Sequence, residues 1–168
     1  MVEDFRDKVT NLNPEVLNFN ELQTLQVNLG NMCNQYCMHC HIDAGPSGNK
    51  IMRKDVMGKI IDFLKNRKGL VLDITGGCPE LNPDFKFFIK SAQPLVSKIM
   101  VRTNLTIFFE KGMEWIPEWY SDHGVVIVAS LPCYTKDNVD NQRGNGVFED
   151  SILLKKTKSP NCRFSLLT

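Results

Sequence analysis

The chain has 168 residues, and its 20 Lys and Arg against 19 Asp and Glu leave a formal net charge of only +1. This length predicts one domain, and the near-neutral charge argues against a protein that binds nucleic acid mainly through phosphate contacts. No apolar run approaches the roughly 18 residues of a membrane-spanning helix, and the N-terminus lacks the apolar segment of a secretory signal. We therefore expect a cytoplasmic protein with no membrane or nucleic-acid partner.

Segments typical of strands and helices alternate along the chain. The first predicted strand has irregular apolar positions, and the helix that follows it, over 53–66, has one apolar stripe. Asn82 and Pro83 are typical of a helix start. The predicted strands span residues 22–29, 70–75, 99–103 and 124–131, and further helices are predicted at 115–121 and from 148 to 156.

This alternation predicts an α/β fold with a parallel sheet, in which ligands bind at the carboxyl ends of the strands. Four unusual peptides fall at these ends: CNQYCMHC, GGCPE, RTNL and SLPCY. Because the carboxyl ends of parallel strands share one edge, we expect the four peptides to form a single composite site.

Three of the six cysteines lie within eight residues, where Cys33, Cys37 and Cys40 form a CxxxCxxC motif. Three thiolates can hold three irons of a [4Fe–4S] cluster, which leaves the fourth iron open to a ligand from outside the protein. The alternative is a zinc ion with His39 or His41 as its fourth ligand.

The CNQYCMHC peptide after a first strand resembles the cysteine motif of the radical S-adenosylmethionine (SAM) superfamily. The peptides TGGCPELNPDF, RTNL and ASLPCYTKDNVDNQRGNGVF resemble the arsenosugar-biosynthesis subgroup, whose complete members carry a cysteine-rich C-terminal domain. This resemblance covers residues 22–152 and implies a partial (β/α) barrel with a [4Fe–4S] cluster and SAM as cofactors. It also implies reductive cleavage of SAM to methionine and a 5′-deoxyadenosyl radical. For the complete enzyme, it implies an electron donor protein and a small-molecule substrate, a methylated arsenical that receives the adenosyl group.

The resemblance makes Cys33, Cys37 and Cys40 the cluster ligands and matches Gly76 and Gly77 to a glycine pair that SAM approaches closely. A tight turn that needs only flexibility is the alternative for these glycines. His39 occupies the position where the family usually has an aromatic residue near the adenine, and an ordinary loop histidine is the alternative there.

Further candidates end the third and fourth strands. Asn104 and Ser130 are candidates for contacts to the carboxylate or ribose of SAM, with local turn and backbone hydrogen bonds as the alternative. Cys133 is a candidate thiol for a thiophilic arsenical, or a small buried side chain. Arg102 either pairs with a carboxylate or faces solvent. Residues 138–146 are either a loop over the pocket or a polar linker.

By length, the chain holds about four of the six βα units of the family. We expect an N-terminal extension over 1–21, a truncated radical SAM core over 22–154 and a divergent tail over 155–168. The fourth strand is then expected to be an exposed edge unless something covers it. Two alternatives to an enzyme remain: a metal-binding module without turnover, and an inactive fragment.

Overall fold

The computed structural model describes residues 4–18, 21–130, 135–149, 151–152 and 163–167. Within these residues, five strands form one parallel sheet whose spatial order is the order of the chain. The strands are β1 (Thr24–Asn28), β2 (Val71–Thr75), β3 (Lys98–Thr103), β4 (Val126–Ser130) and β5 (Arg163–Leu167). The predicted α/β fold with a parallel sheet is confirmed.

Helices connect the successive strands. Helix α1 precedes the sheet, α2 to α4 each lead into the next strand, and α5 follows β4. Their bounds are α1 (Phe5–Leu12), α2 (Lys54–Lys65), α3 (Phe85–Ala92), α4 (Ile116–Asp122) and α5 (Lys136–Arg143). Among the described helices, none has both the length and the apolar character that crossing a bilayer requires.

The two faces of the sheet differ in polarity. Successive side chains of a strand point to opposite faces, so residues two apart share a face. Apolar side chains such as Leu72, Ile74 and Val101, all fully buried, pack in the core with the helices. The opposite face carries polar side chains on the first three strands: Gln26, Asn28, Asp73, Thr75 and Arg102.

The strand β4 is covered and is not an exposed edge, because β5 pairs with it along its whole length, from Val126–Arg163 to Ser130–Leu167. As an interior strand, β4 suits the buried run 125–129, since strands covered on both faces are continuously apolar. The described sheet therefore has five strands rather than four. The strand β5 lies within the segment predicted as a divergent tail, and the predicted division into regions itself stays a prediction.

Candidate functional site

A cavity of about 570 Å³ lies between the polar face of the sheet and the cysteine loop, which we define as residues 30–52. Cys33, Cys37 and Cys40 all line this cavity. The other lining residues are Gln26, Asn28, Gln35, His39, His41, Ile42, Ala44, Thr75, Gly76, Gly77, Arg102, Thr103, Asn104 and Arg143. Three of the four peptides singled out in the sequence thus meet at one cavity, and the fourth includes residues outside the described ranges.

Backbone and side-chain hydrogen bonds stabilise the conformation of the cysteine loop. The Cys33 N–H donates to the Gly45 carbonyl across the loop, at 3.0 Å. The amide nitrogen of Asn82 donates to the carbonyls of Leu29 and Met52, both at 3.0 Å, so one side chain ties the two ends of the loop together. The side-chain oxygen of Asn82 accepts from the Asp84 N–H at 2.9 Å, and α3 begins at Phe85, two residues later than the Asn-Pro pair predicts.

The glycine pair after β2 packs directly against the cysteine loop. The Gly77 N–H donates to the Gly30 carbonyl at 2.9 Å, and the Cys78 N–H donates to the Met32 carbonyl at 2.7 Å. A Cβ at Gly77 would lie 2.2 Å from the Met32 oxygen, and one at Gly76, where φ is +149°, would lie 2.8 Å from the Gly30 oxygen. This close approach of two backbones requires glycine at both positions, whatever ligand also contacts them.

Cys33 has a second buried thiol beside it. The sulfur atoms of Cys33 and Cys78 are 3.5 Å apart, and the Asn104 amide nitrogen lies 3.4 Å from the first and 3.2 Å from the second. The hydrogen bond between the two thiols is the largest effect lowering the pKa of Cys33, to about 7, and the same bond together with burial raises the pKa of Cys78. Cys33 is therefore the thiol of the pair that ionises first, as a metal ligand must.

The three thiols of the motif line the cavity without meeting at one metal-ion position. In the described part of the chain, no three His, Cys, Asp or Glu side chains converge on one metal-ion position. A structural zinc ion needs four ligands converging on one point, whereas a [4Fe–4S] cluster takes one thiolate at each iron, so its ligands stand apart. The Ala44 N–H also donates to the Cys40 sulfur at 3.3 Å.

Arg143 is a cavity residue that the sequence analysis missed. The interpretation of residues 138–146 as a loop or linker is wrong for 138–143, because α5 continues to Arg143, with Gly144 as its C-cap. Burial lowers the pKa of Arg143, while the nearby cysteines, Cys37 first, raise it. In return, burial raises the pKa of Cys37 and the charge of Arg143 opposes that shift. The Arg143 cation therefore favours ionisation of Cys37.

The ion pair of Arg102 with Asp73, together with Gln26, forms the polar floor of the cavity. The Arg102 guanidinium binds both carboxylate oxygens of Asp73 at 2.8 to 3.0 Å, and Gln26 donates to the same carboxylate at 2.8 Å. The Asp73 side chain is 4% exposed and that of Arg102 is 33% exposed, so the pair is largely shielded from water. Of the two alternatives left open for Arg102, pairing with a carboxylate is the one observed.

Glu80 lies beneath the site rather than on the cavity wall. Its two carboxyl oxygens accept hydrogen bonds from the Tyr120 hydroxyl at 2.7 Å and from the Thr103 hydroxyl at 3.2 Å. Burial raises the pKa of Glu80 above its usual range, against the opposing effect of these donors. Glu80 is thus a core acid that links β3 and α4.

Glu80 predicts a specific pH dependence of stability. In the interval between its usual pKa and its raised pKa in the folded state, the folded chain holds a proton that the unfolded chain has lost, so the free energy of unfolding falls as pH rises. Glu80→Gln removes this contribution. The free energy of unfolding of the variant, relative to that of the wild type, should therefore be higher at pH 8 than at pH 5. Urea unfolding of both proteins at the two pH values checks this, and parallel pH profiles would contradict it.

Four of the five predicted SAM-binding residues lie on the cavity wall: His39, Gly76, Gly77 and Asn104. Ser130 is the last residue of β4, and its side chain is not among those described. Cys133 lies outside the described residues. The roles assigned to all these residues stay predictions.

Comparison with known proteins gave no matching family model. The putative peptide biosynthesis protein YydG of Bacillus subtilis (strain 168) is 26% identical over 113 residues, covering 65% of this chain and 34% of that protein. The probable GTP 3′,8-cyclase of Pyrococcus abyssi (strain GE5/Orsay) is 27% identical over 90 residues, covering 54% of this chain and 29% of that protein. The chain thus matches about a third of the length of these curated relatives.

Solved structures match over most of this chain. The structure of anSMEcpe with bound AdoMet (SAM) and the Kp18Cys peptide has a TM-score of 0.64 at 16% identity, over 87% of this chain and 43% of that one. BtrN in complex with AdoMet and 2-DOIA has a TM-score of 0.54 at 13% identity, over 79% of this chain and 56% of that one. The two relatives support the radical SAM superfamily, and the solved structures show the same fold. The arsenosugar-biosynthesis subgroup is not tested by these matches and stays a prediction.

Proposed function

We propose that Cys33, Cys37 and Cys40 hold a [4Fe–4S] cluster and that the surrounding cavity binds SAM, which is cleaved reductively to methionine and a 5′-deoxyadenosyl radical. The observation that carries this proposal is the presence of these three thiols, in this spacing, on one cavity at the carboxyl ends of parallel strands. Matched structures of the same fold hold AdoMet, which supports it. When bound, the cofactors supply the radical chemistry, and the protein binds, orients and shields them.

The cavity residues suit different parts of SAM. Arg143 carries positive charge beside the thiols, which suits the carboxylate of SAM. His39 offers a flat ring for the adenine, and the backbone at Gly76 and Gly77 lets a ligand approach without a side chain in the way. Ser130 at the end of β4 is proposed to contact the ribose.

Asn104 is proposed to help hold the cysteine loop as well as to contact SAM. Its amide nitrogen lies within hydrogen-bond distance of Asn34, at 2.9 Å, in addition to the two sulfur atoms. The side-chain oxygen of Asn104 accepts hydrogen bonds from the Thr106 hydroxyl and the Ile107 N–H. These contacts use the hydrogen-bonding capacity of the amide within the protein, so any contact with SAM exchanges one of them.

For the substrate, we propose adenosyl transfer to a methylated arsenical in the complete enzyme, with Cys133 as a soft contact for arsenic and an electron donor protein as the source of the electron. This rests on the resemblance to the arsenosugar subgroup. A peptide substrate is a second candidate, supported by the name of YydG and by the peptide bound to anSMEcpe. Product analysis by mass spectrometry after anaerobic incubation with each substrate class distinguishes the two.

The cluster assignment is tested by Cys37→Ala, because two thiolates should not retain a [4Fe–4S] cluster. Anaerobic reconstitution followed by iron and sulfide analysis should give near four irons per chain for the wild type and a loss of most of them for the variant. Cys78→Ala is the matched control, since it also removes a thiol, one that contacts Cys33, but not a proposed ligand. Full iron and sulfide content in Cys37→Ala would contradict the proposal.

A further inference from the structure

The thiol of Cys78 is the feature of the site that neither the motif nor the proposed SAM contacts explain. It is 3% exposed, and its sulfur lies 3.5 Å from that of Cys33, which is itself 6% exposed. The hydrogen bond from the Cys78 N–H to the Met32 carbonyl, at 2.7 Å, fixes the Cys78 backbone against the residue that precedes Cys33. The short distance between the two sulfurs is thus built into the packing of the two loops.

The direction of the contact follows from the role of Cys33. Either sulfur can be the donor while both are thiols. A cysteine that ligates iron does so as a thiolate, which has no proton left to donate. Once Cys33 is a ligand, only Cys78 can donate across this contact.

The Cys78 thiol has a choice of two acceptors, the Cys33 sulfur and the Asn34 side-chain oxygen at 3.2 Å. Asn34 also has the Asn104 amide as a donor, at 2.9 Å. A charged acceptor makes a stronger hydrogen bond than a neutral one. The Cys78 thiol therefore donates to the Cys33 sulfur when Cys33 is a thiolate, and the Asn104 amide still donates to the Asn34 side-chain oxygen.

Cys78 is badly placed to be a fourth ligand. Ligands of a [4Fe–4S] cluster bind different irons, and two sulfurs 3.5 Å apart lie at one corner rather than at two. Cys78 is also absent from the residues that line the large cavity, whereas the three motif cysteines all line it.

We propose that the Cys78 thiol, together with the Asn104 amide, donates a hydrogen bond to the Cys33 sulfur and so raises the reduction potential of the cluster. This inference rests on the proposed function, because it requires Cys33 to be a cluster ligand. Hydrogen bonds to ligand sulfurs stabilise the more negative, reduced state, and such bonds are among the factors that set cluster potentials. Cys78 is a positioning and tuning residue, with no contact to substrate.

The test compares Cys78→Ala and Cys78→Ser with the wild type, as full chains reconstituted anaerobically. The two variants differ by one hydroxyl group, which can replace the thiol as donor. Iron and sulfide are counted first, and the reduction potential is then measured by EPR-monitored redox titration. We expect all three proteins to hold the same amount of iron, Cys78→Ala to have a more negative potential, and Cys78→Ser to lie closer to the wild type.

The outcomes separate this inference from the proposed function. Equal potentials in the wild type and Cys78→Ala, with equal iron, would overturn the inference and leave the proposed function intact. Loss of iron in both Cys78 variants but not in the wild type would also overturn it, because Cys78 would then be a ligand or essential to the loop. A wild-type chain that takes up no cluster would overturn both.

Discussion

Replacing Gly77 with alanine should abolish cluster loading, although Gly77 is not a ligand. The added Cβ would lie 2.2 Å from the carbonyl oxygen and 2.7 Å from the carbonyl carbon of Met32, and 3.0 Å from the Cβ of Cys33. Backbone atoms cannot move aside without shifting the loop, so Cys33 would be displaced from the other two cysteines. Iron and sulfide analysis after anaerobic reconstitution should show loss of most of the cluster.

Gly58→Ala is the matched control for this result. Gly58 lies within α2, and an added Cβ there meets no atom within 4 Å. Alanine in a helix is more favourable than glycine by about 0.5 to 1 kcal/mol, so this variant should load fully and be slightly more stable. Equal cluster content in Gly77→Ala and the wild type would show that the loop tolerates the displacement, and the role given to the glycine would be wrong.

Asp73→Ala should lower the free energy of unfolding by about 2 to 3 kcal/mol, because it leaves the guanidinium of Arg102 without its carboxylate and removes the acceptor of Gln26. We place the loss below that for a fully buried pair, since a third of the Arg102 side chain is exposed. Urea unfolding of the apo chain under reducing conditions measures the loss.

The double variant Asp73→Leu with Arg102→Met is the control for this stability prediction. It removes both charges and fills the space with apolar atoms, so it should be more stable than Asp73→Ala. If the free energy of unfolding of Asp73→Ala lies within about 0.5 kcal/mol of that of the wild type, the ion pair contributes little to stability, as exposed pairs usually do.

The parts of the site that the sequence predicts are those with local signals. The spacing of Cys33, Cys37 and Cys40 is short and unusual, and parallel strands bring the ends of several loops to one edge. Both features can be read without knowing the packing, and the structure does bring these residues to one cavity.

The polar floor also has a local signal in the sequence. The interpretation of the apolar positions in residues 22–29 as irregular misses this signal. Leu25, Val27 and Leu29 alternate with Gln26 and Asn28, which is the period of a strand with one apolar and one polar face. The same alternation in β2 places Asp73 on the polar face.

Other features depend on contacts between distant segments, which sequence patterns do not reveal. Arg143 reaches the cavity because of where α5 docks, and Cys78 meets Cys33 across a separation of 45 residues. The strand β5 is five residues long and follows a polar, proline-containing segment, so its pairing with β4 has only a weak local signal.

The measurement that tests the central claim most directly is the EPR spectrum of the anaerobically reconstituted and reduced chain, recorded with and without SAM. An iron with no protein ligand should bind SAM directly, so we expect near four irons per chain and a spectrum that changes when SAM is added. A reduced [4Fe–4S] signal that SAM leaves unchanged, or zinc uptake in place of iron, would contradict the account.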